Sequence, residues 1–148
     1  MNGISIFKSR TGRPDCSNEK FYDFVTDIRN FEQFIPADTF SNLHIEKDSC
    51  SFQIVMLGNV NIRVAEKIMY NKVVFTGNAL QIKEFSLIMD IKGTGERKAE
   101  VNVTLQADMS PVLKIVAAEP VKRFLETLID EMEKFKGWKE TKERIRSL

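Results

Sequence analysis

Glu66 and Tyr70 are the two polar residues best placed to act inside an otherwise apolar site. They share one parity with Ile62, Val64 and Ile68 in a run of alternating residues, and alternation sends one parity to one face of a sheet. A carboxylate turned into an apolar interior costs several kcal/mol, roughly 3–5 when it has no partner. Glu66 must therefore sit in a solvated cavity, find a partner, or escape the interior through a β-bulge or at the sheet rim. In the cavity, Glu66 is a polar anchor or a proton-transfer group. Tyr70 is either a hydroxyl in an apolar wall or a core ring with its hydroxyl at the surface.

The remaining reactive residue types are sparse. The single histidine, His44, stands between Leu43 and Ile45, so alternation points it away from the core. One histidine and two cysteines cannot complete a four-ligand zinc site without carboxylates, and no clustered spacing offers them, so no metal is expected. Cys16 lies near a helix start, where the dipole can lower a thiol pKa, whereas Cys50 is inward by parity and serves as a small apolar filler. Gly93-Thr94-Gly95 matches part of a phosphate loop but lacks the third glycine and the strand-loop-helix setting, so it is taken as a hairpin turn. There is no Gly-x-Ser-x-Gly elbow and no cofactor fingerprint, and no cofactor is expected.

The bulk properties narrow the class further. The 148 residues suit one domain, and a chain of this length buries roughly 70% of its unfolded surface. A hydrophobic share of 43% beside 29% charged residues is that of a folded, soluble chain. The net charge of +1 gives no global field toward nucleic acid, and no nucleic-acid partner is expected. No apolar run approaches the ~20 residues of a membrane span, and residues 1–7 lack the pattern of a signal peptide. Two cysteines are too few for a disulfide framework, which favours a reduced, cytoplasmic setting. The basic residues of 134–148 fit a solvated helix end.

The elements that must position Glu66 and Tyr70 follow from periodicity. Residues 4–10 form a first strand. Ser17 is a good N-cap, and Phe21, Phe24, Val25 and Ile28 make one helical stripe. Phe31, Phe34 and Ile35 extend it in a second short helix after Asn30, which Pro36 stops. From residue 42 to 107 the period is two, with turns expected at Asp48-Ser49, Gly58-Asn59, Asn71, Gly77-Asn78 and 92–95. The short turns leave no room for crossovers, so the sheet is antiparallel. Val121, Phe124, Leu125, Leu128, Ile129, Met132 and Phe135 form the apolar stripe of a dominant helix over 121–136. Val112, Leu113, Ile115 and Val116 also look helical, but Pro120 is expected to kink the chain or restart the helix. Gly137 ends it, and Trp138 folds back on the domain. The expected core is Phe21, Phe24, Val25, Phe52, Ile54, Ile62, Val64, Val101, Val103, Leu125, Leu128 and Met132.

The run Ser17-Asn18-Glu19-Lys20-Phe21-Tyr22-Asp23-Phe24-Val25-Thr26-Asp27, with Asn30-Phe31 and Phe34-Ile35-Pro36 after it, resembles the opening of the START-like helix-grip superfamily (SRPBCC). That group includes polyketide cyclases, coenzyme Q-binding proteins, lipid-transfer domains and plant pollen allergens. The resemblance implies an α+β fold: a curved seven-stranded antiparallel sheet, two short N-terminal helices and a long C-terminal helix across the concave face. It also implies a cavity for an apolar molecule between sheet and helix. The helix would offer Leu125, Leu128, Ile129 and Met132 to that cavity. The sheet would answer with Phe52, Ile54, Ile62, Val64, Phe85, Leu87 and Met89, and with Glu66 and Tyr70 as its polar groups. Phe34 and the loop 37–40 would stand at the mouth. Met56, Met89 and Met132 suit an adaptable wall, or gap-filling in a solid core.

Fold does not fix function, and three readings follow. The first is a binder or carrier of an apolar small molecule: a lipid, a quinone or an aromatic metabolite. The second is an enzyme similar to polyketide cyclases or dehydratases, with Glu66 and Tyr70 as acid/base groups; it fails if Glu66 is exposed. The third is an interaction module, like the co-chaperone or ribosome-associated members of the superfamily, with an apolar patch on residues 31–40.

Overall fold

The computed structural model describes residues 3–34, 41–46, 48–54, 58–79 and 82–138. Its elements run β1 (Gly3–Lys8), α1 (Asn18–Val25), a 3-10 helix (Ile28–Phe34), β2 (Ser41–Ile45), β3 (Ser49–Ile54), β4 (Gly58–Ile68), β5 (Lys72–Ala79), β6 (Ile82–Gly95), β7 (Lys98–Met109) and α2 (Pro111–Lys134). Seven strands form one antiparallel sheet in the order β1-β7-β6-β5-β4-β3-β2. The sheet is sequential from β2 to β7, with β1 joining at the far edge. This is the α+β architecture expected from the sequence.

Local chemistry explains the helix ends. Ser17 caps α1, its Oγ accepting from the amide of Lys20 at 3.2 Å. At the other end the Asn30 side-chain amide donates to the carbonyl of Phe24 at 2.8 Å. The second expected helix is a 3-10 helix that begins at Ile28, ahead of Asn30. Ile35, Pro36 and the loop 37–40 lie outside the described residues. Ser110 caps α2 by accepting from Leu113 at 3.1 Å, and Pro111 occupies the first turn, where its missing N–H costs nothing.

Four expectations are corrected. Pro120 does not restart the helix: α2 is one run with Pro120 inside it. The buried flanks Ala117 and Val121 hold the chain through the one hydrogen bond the proline removes. Gly77-Asn78 is not a turn but part of β5, between Ile62 on β4 and Phe85 on β6. A Cβ on Gly77 would collide with the Asn61 carbonyl, so the glycine serves close strand approach. Gly58-Asn59 opens β4 opposite Ile54 and Gln53, and the turn between β6 and β7 falls at Glu96-Arg97, beyond Gly93-Thr94-Gly95.

The core lies between the sheet and the helices. Eleven of the twelve expected core residues are buried; Val64, at the start of an irregularity in β4, is only half-buried and packs against the rest. Trp138 does fold back, with its ring centroid 4.7 Å from that of Phe135 and 4.9 Å from that of Phe24.

The segment 9–13 straps the C-terminal half of α2 to β7. Gly12 exchanges backbone hydrogen bonds with Val101, at 2.8 and 2.9 Å. Arg10 Nη2 donates to Asp130 Oδ1 at 2.5 Å and to Glu133 Oε1 at 2.8 Å. The Arg13 amide donates to Glu133 Oε2 at 2.8 Å, and its guanidinium reaches Glu100 at 3.1 Å. Upstream of Pro120 the helix shows a different face. Val112, Ile115 and Val116 are 71%, 78% and 42% exposed, while Ala117 is fully buried.

Candidate ligand site between sheet and helix

Most of the expected wall residues lie in one buried cluster. Phe52, Ile54, Ile62, Phe85, Leu87 and Met89 from the sheet are buried, as are Leu125, Leu128 and Met132 from α2 and Phe34 from the 3-10 helix. Alternation explains the sheet side: each sits on the inward parity of its strand. The 3.6-residue period explains the helix side. The Phe52 ring stacks on Phe124 with centroids 5.8 Å apart, and Phe34 lies 5.5 Å from Phe24. Leu87, Met89, Leu128 and Met132 are 0% exposed, which leaves no water-sized space against them. The wall is thus assembled and closed. A ligand entering here must part side chains already in contact. Met89 and Met132, with three rotatable bonds each, are the residues best able to yield. Met56 lies outside the described residues.

Glu66 does not join this wall. Val64 pairs with Phe75 and Glu66 with Val74, so Ala65 is an extra residue and the strand changes parity. Phe75 is buried and points inward, and Glu66 therefore follows Val74 to the other side. Glu66 is exposed and borders an open hollow of about 510 Å³ beside Asp27, Arg29 and Asp48. There Arg29 donates to Asp27 through Nη2 at 2.6 Å and Nε at 2.9 Å, a hydrogen-bonded pairing that holds the Asp27 carboxyl below its usual range.

Tyr70 also falls outside the wall. It sits in the β4–β5 turn with φ of 64°, a left-handed conformation uncommon for a bulky residue. Two contacts hold it there. Its ring meets Tyr22 edge-on at 5.5 Å, and its carbonyl accepts from the Asn18 side-chain amide at 3.3 Å. The acid/base pair of the enzyme reading is therefore not assembled between sheet and helix.

The other candidates resolve simply. His44 is exposed, with Nε2 3.4 Å from Glu46. Both cysteines are buried, and burial pushes each thiol up to about 12. For Cys16 desolvation by burial is the largest cause, and it outweighs the helix start that could have lowered the value. Among the described residues no cluster of three or more His, Cys, Asp or Glu is set to hold a metal. No described helix is long and apolar enough to cross a membrane.

What sequence reasoning missed is the exposed face of α2 at Val112, Ile115 and Val116. The i, i+3, i+4 spacing was visible, but spacing alone does not say whether a stripe is covered.

The concave apolar sheet, the helix laid on it and the α1/3-10 pair between β1 and β2 define a helix-grip fold. The chain is similar in structure to a norcoclaurine synthase point mutant from Thalictrum flavum in complex with a transition-state analogue, over 96% of this chain and 98% of that one, with a TM-score of 0.75 at 9% identity. An aromatase/cyclase from Streptomyces superposes over 97% of this chain and 96% of that one, with a TM-score of 0.71 at 8% identity. A START superfamily protein from Mycobacterium smegmatis superposes over 88% of this chain and 99% of that one, with a TM-score of 0.60 at 13% identity. No family model and no curated protein sequence matches the chain.

Proposed function

We propose that this chain binds an apolar small molecule (a lipid, a quinone or an aromatic metabolite) between the sheet and α2. The molecule enters by displacing the half of α2 that precedes Pro120. The observation that carries this reading is the contrast along one helix. Downstream of Pro120 the stripe is buried and strapped by Arg10, Gly12 and Arg13; upstream, Val112, Ile115 and Val116 face solvent. Pro120 has no N–H to give the Val116 carbonyl, so one rung that would hold the two halves together is already missing there. The norcoclaurine synthase with its bound transition-state analogue supports the idea that this fold accommodates a small molecule.

The test has two readouts. Solvent extraction of the purified protein, followed by mass spectrometry, looks for a co-purifying molecule. Equilibrium titration with a fatty acid, a short-chain quinone and a naphthol then measures binding. Saturable binding of one class is expected. An empty extract together with three flat titrations sinks the reading. Amide exchange tests the route: residues 113–119 should exchange faster than 121–134 and slow once ligand is bound. Equal protection of both halves in the free protein would remove the proposed entrance.

A further inference from the structure

We propose that the free edge of β1 is a self-association surface, on which a second copy of this chain lays its own β1 antiparallel to form a two-fold dimer. The surface is separate from the site between sheet and α2, and it does not depend on a ligand there.

The backbone makes the edge available. The Ser9 amide donates to the Val103 carbonyl at 2.9 Å, which continues the register in which Lys8 faces Thr104. Hydrogen-bonded residues alternate along an antiparallel ladder, so Gly3, Ser5 and Phe7 bond to β7. The amides and carbonyls of Ile4, Ile6 and Lys8 point the other way. There β1 is the end of the sheet, and no described strand meets them.

The two edges of the sheet differ. At the opposite end, β2 is interrupted by an irregularity between Ser41 and His44, with Asn42 at a φ of 54°, and such a break spoils an edge as a template. β1 pairs without a break from Gly3 to Lys8, holds no proline, and carries no charge before Lys8. Ile4 and Ile6 are 66% and 51% exposed on the outer face. Apolar side chains thus stand on the same residues whose backbone is open, which is what strand addition requires.

The pattern fits a copy of itself. A two-fold axis at Ile6 sets Ile6 opposite Ile6, and Ile4 opposite Lys8, of the second copy, so the open backbone groups of all three residues pair. Charge agrees with this register. Asp108 lies beside Ile4 on β7 and shares the outer face with Lys8. Both are exposed, and neither has an ion-pair partner among the described residues. In the dimer Lys8 of each copy looks across Ile4 to Asp108 of the other, two strands or about 10 Å away between Cα atoms, a span that the two side chains close by lying over the isoleucine. The pairing consumes the β1 edge and the interrupted β2 edge offers no second one, so association closes at two.

Sedimentation equilibrium of the full chain should show a monomer–dimer equilibrium, concentration-dependent because one strand pair makes a narrow interface. Ile6→Lys should raise the dissociation constant about ten-fold or more while keeping the parent's circular dichroism spectrum. If Ile6→Lys does not fold, Ile4→Lys carries the same expectation. Lys8→Asp should weaken the dimer, and adding Asp108→Lys to it should restore association. A dimer that survives in the folded isoleucine variant, or a double variant that recovers nothing, overturns the proposal. So does a chain that stays monomeric up to its solubility limit, which would leave the edge to a strand of a different protein.

Discussion

Gly12 lies directly against Ile129: a Cβ added to Gly12 would stand 3.0 Å from both Cδ1 and Cγ2 of that side chain. The strap 9–13 and the long helix meet here with no spare room. Gly12→Val should overpack the contact and cost about 1–3 kcal/mol, with Gly12→Ala milder because Ile129 has to give by only a few tenths of an ångström. Urea unfolding measures both; a Gly12→Val midpoint equal to the parent's would mean the strap is not seated on the helix.

Leu128 is wholly buried on the inward face of α2. Leu128→Ala should cost roughly 2–5 kcal/mol, through lost burial and the cavity left behind. Thermal melting reads the loss. A shift within error would mean that the space around Leu128 is not packed, contrary to its complete burial.

The strap should also weaken in acid. Hydrogen bonds from Arg10 and Arg13 hold the Glu133 carboxyl below its usual range. A lowered folded value contributes stability above the unfolded pKa and loses it as pH falls through the folded one. The pair is partly exposed, so the contribution is small, about 1 kcal/mol or less. Glu133→Gln should therefore lower stability at neutral pH and flatten the acid limb of the stability profile. A variant whose acid limb superimposes on the parent's would show that Glu133 does not carry this linkage.

Both thiols are buried and protonated at neutral pH. Neither should react with a soluble thiol reagent at pH 8 until the chain unfolds. Mass spectrometry counts the adducts, and rapid single labelling of the native protein would show that the structure opens at Cys16.

The sheet and its inward faces were legible because alternation over residues 42–107 leaves few other solutions, and Phe52, Leu87 and Val103 are buried as parity requires. Parity failed where one residue was inserted. The bulge at Ala65 turns Glu66 outward, and nothing in the local pattern of Val64, Ala65 and Glu66 announces it, since it arises in the pairing with Val74 and Phe75. Glu66→Gln should accordingly leave stability within about 0.5 kcal/mol of the parent. Glycine misled in the same way: Gly77 signalled a turn, yet its cause is a neighbouring strand pressed close.

The pairing of β1 with β7 sets the order in which the molecule can be assembled. Strands β2 to β7 are joined as successive hairpins, each able to form as soon as its neighbour has emerged. Strand β1 is made early but pairs with one made much later: Lys8 meets Thr104, and Ser5 meets Ala107. The first strand must wait for β7 to be made before it can pair, and closing so long a loop is entropically slow. The meander is then the scaffold, and the N-terminal strand is the final edge to lock, together with the α2 turns that rest on it. Pulse-labelled amides of β1 should gain protection after those of β4 to β6, and the reverse order would place the nucleus at the β1–β7 seam.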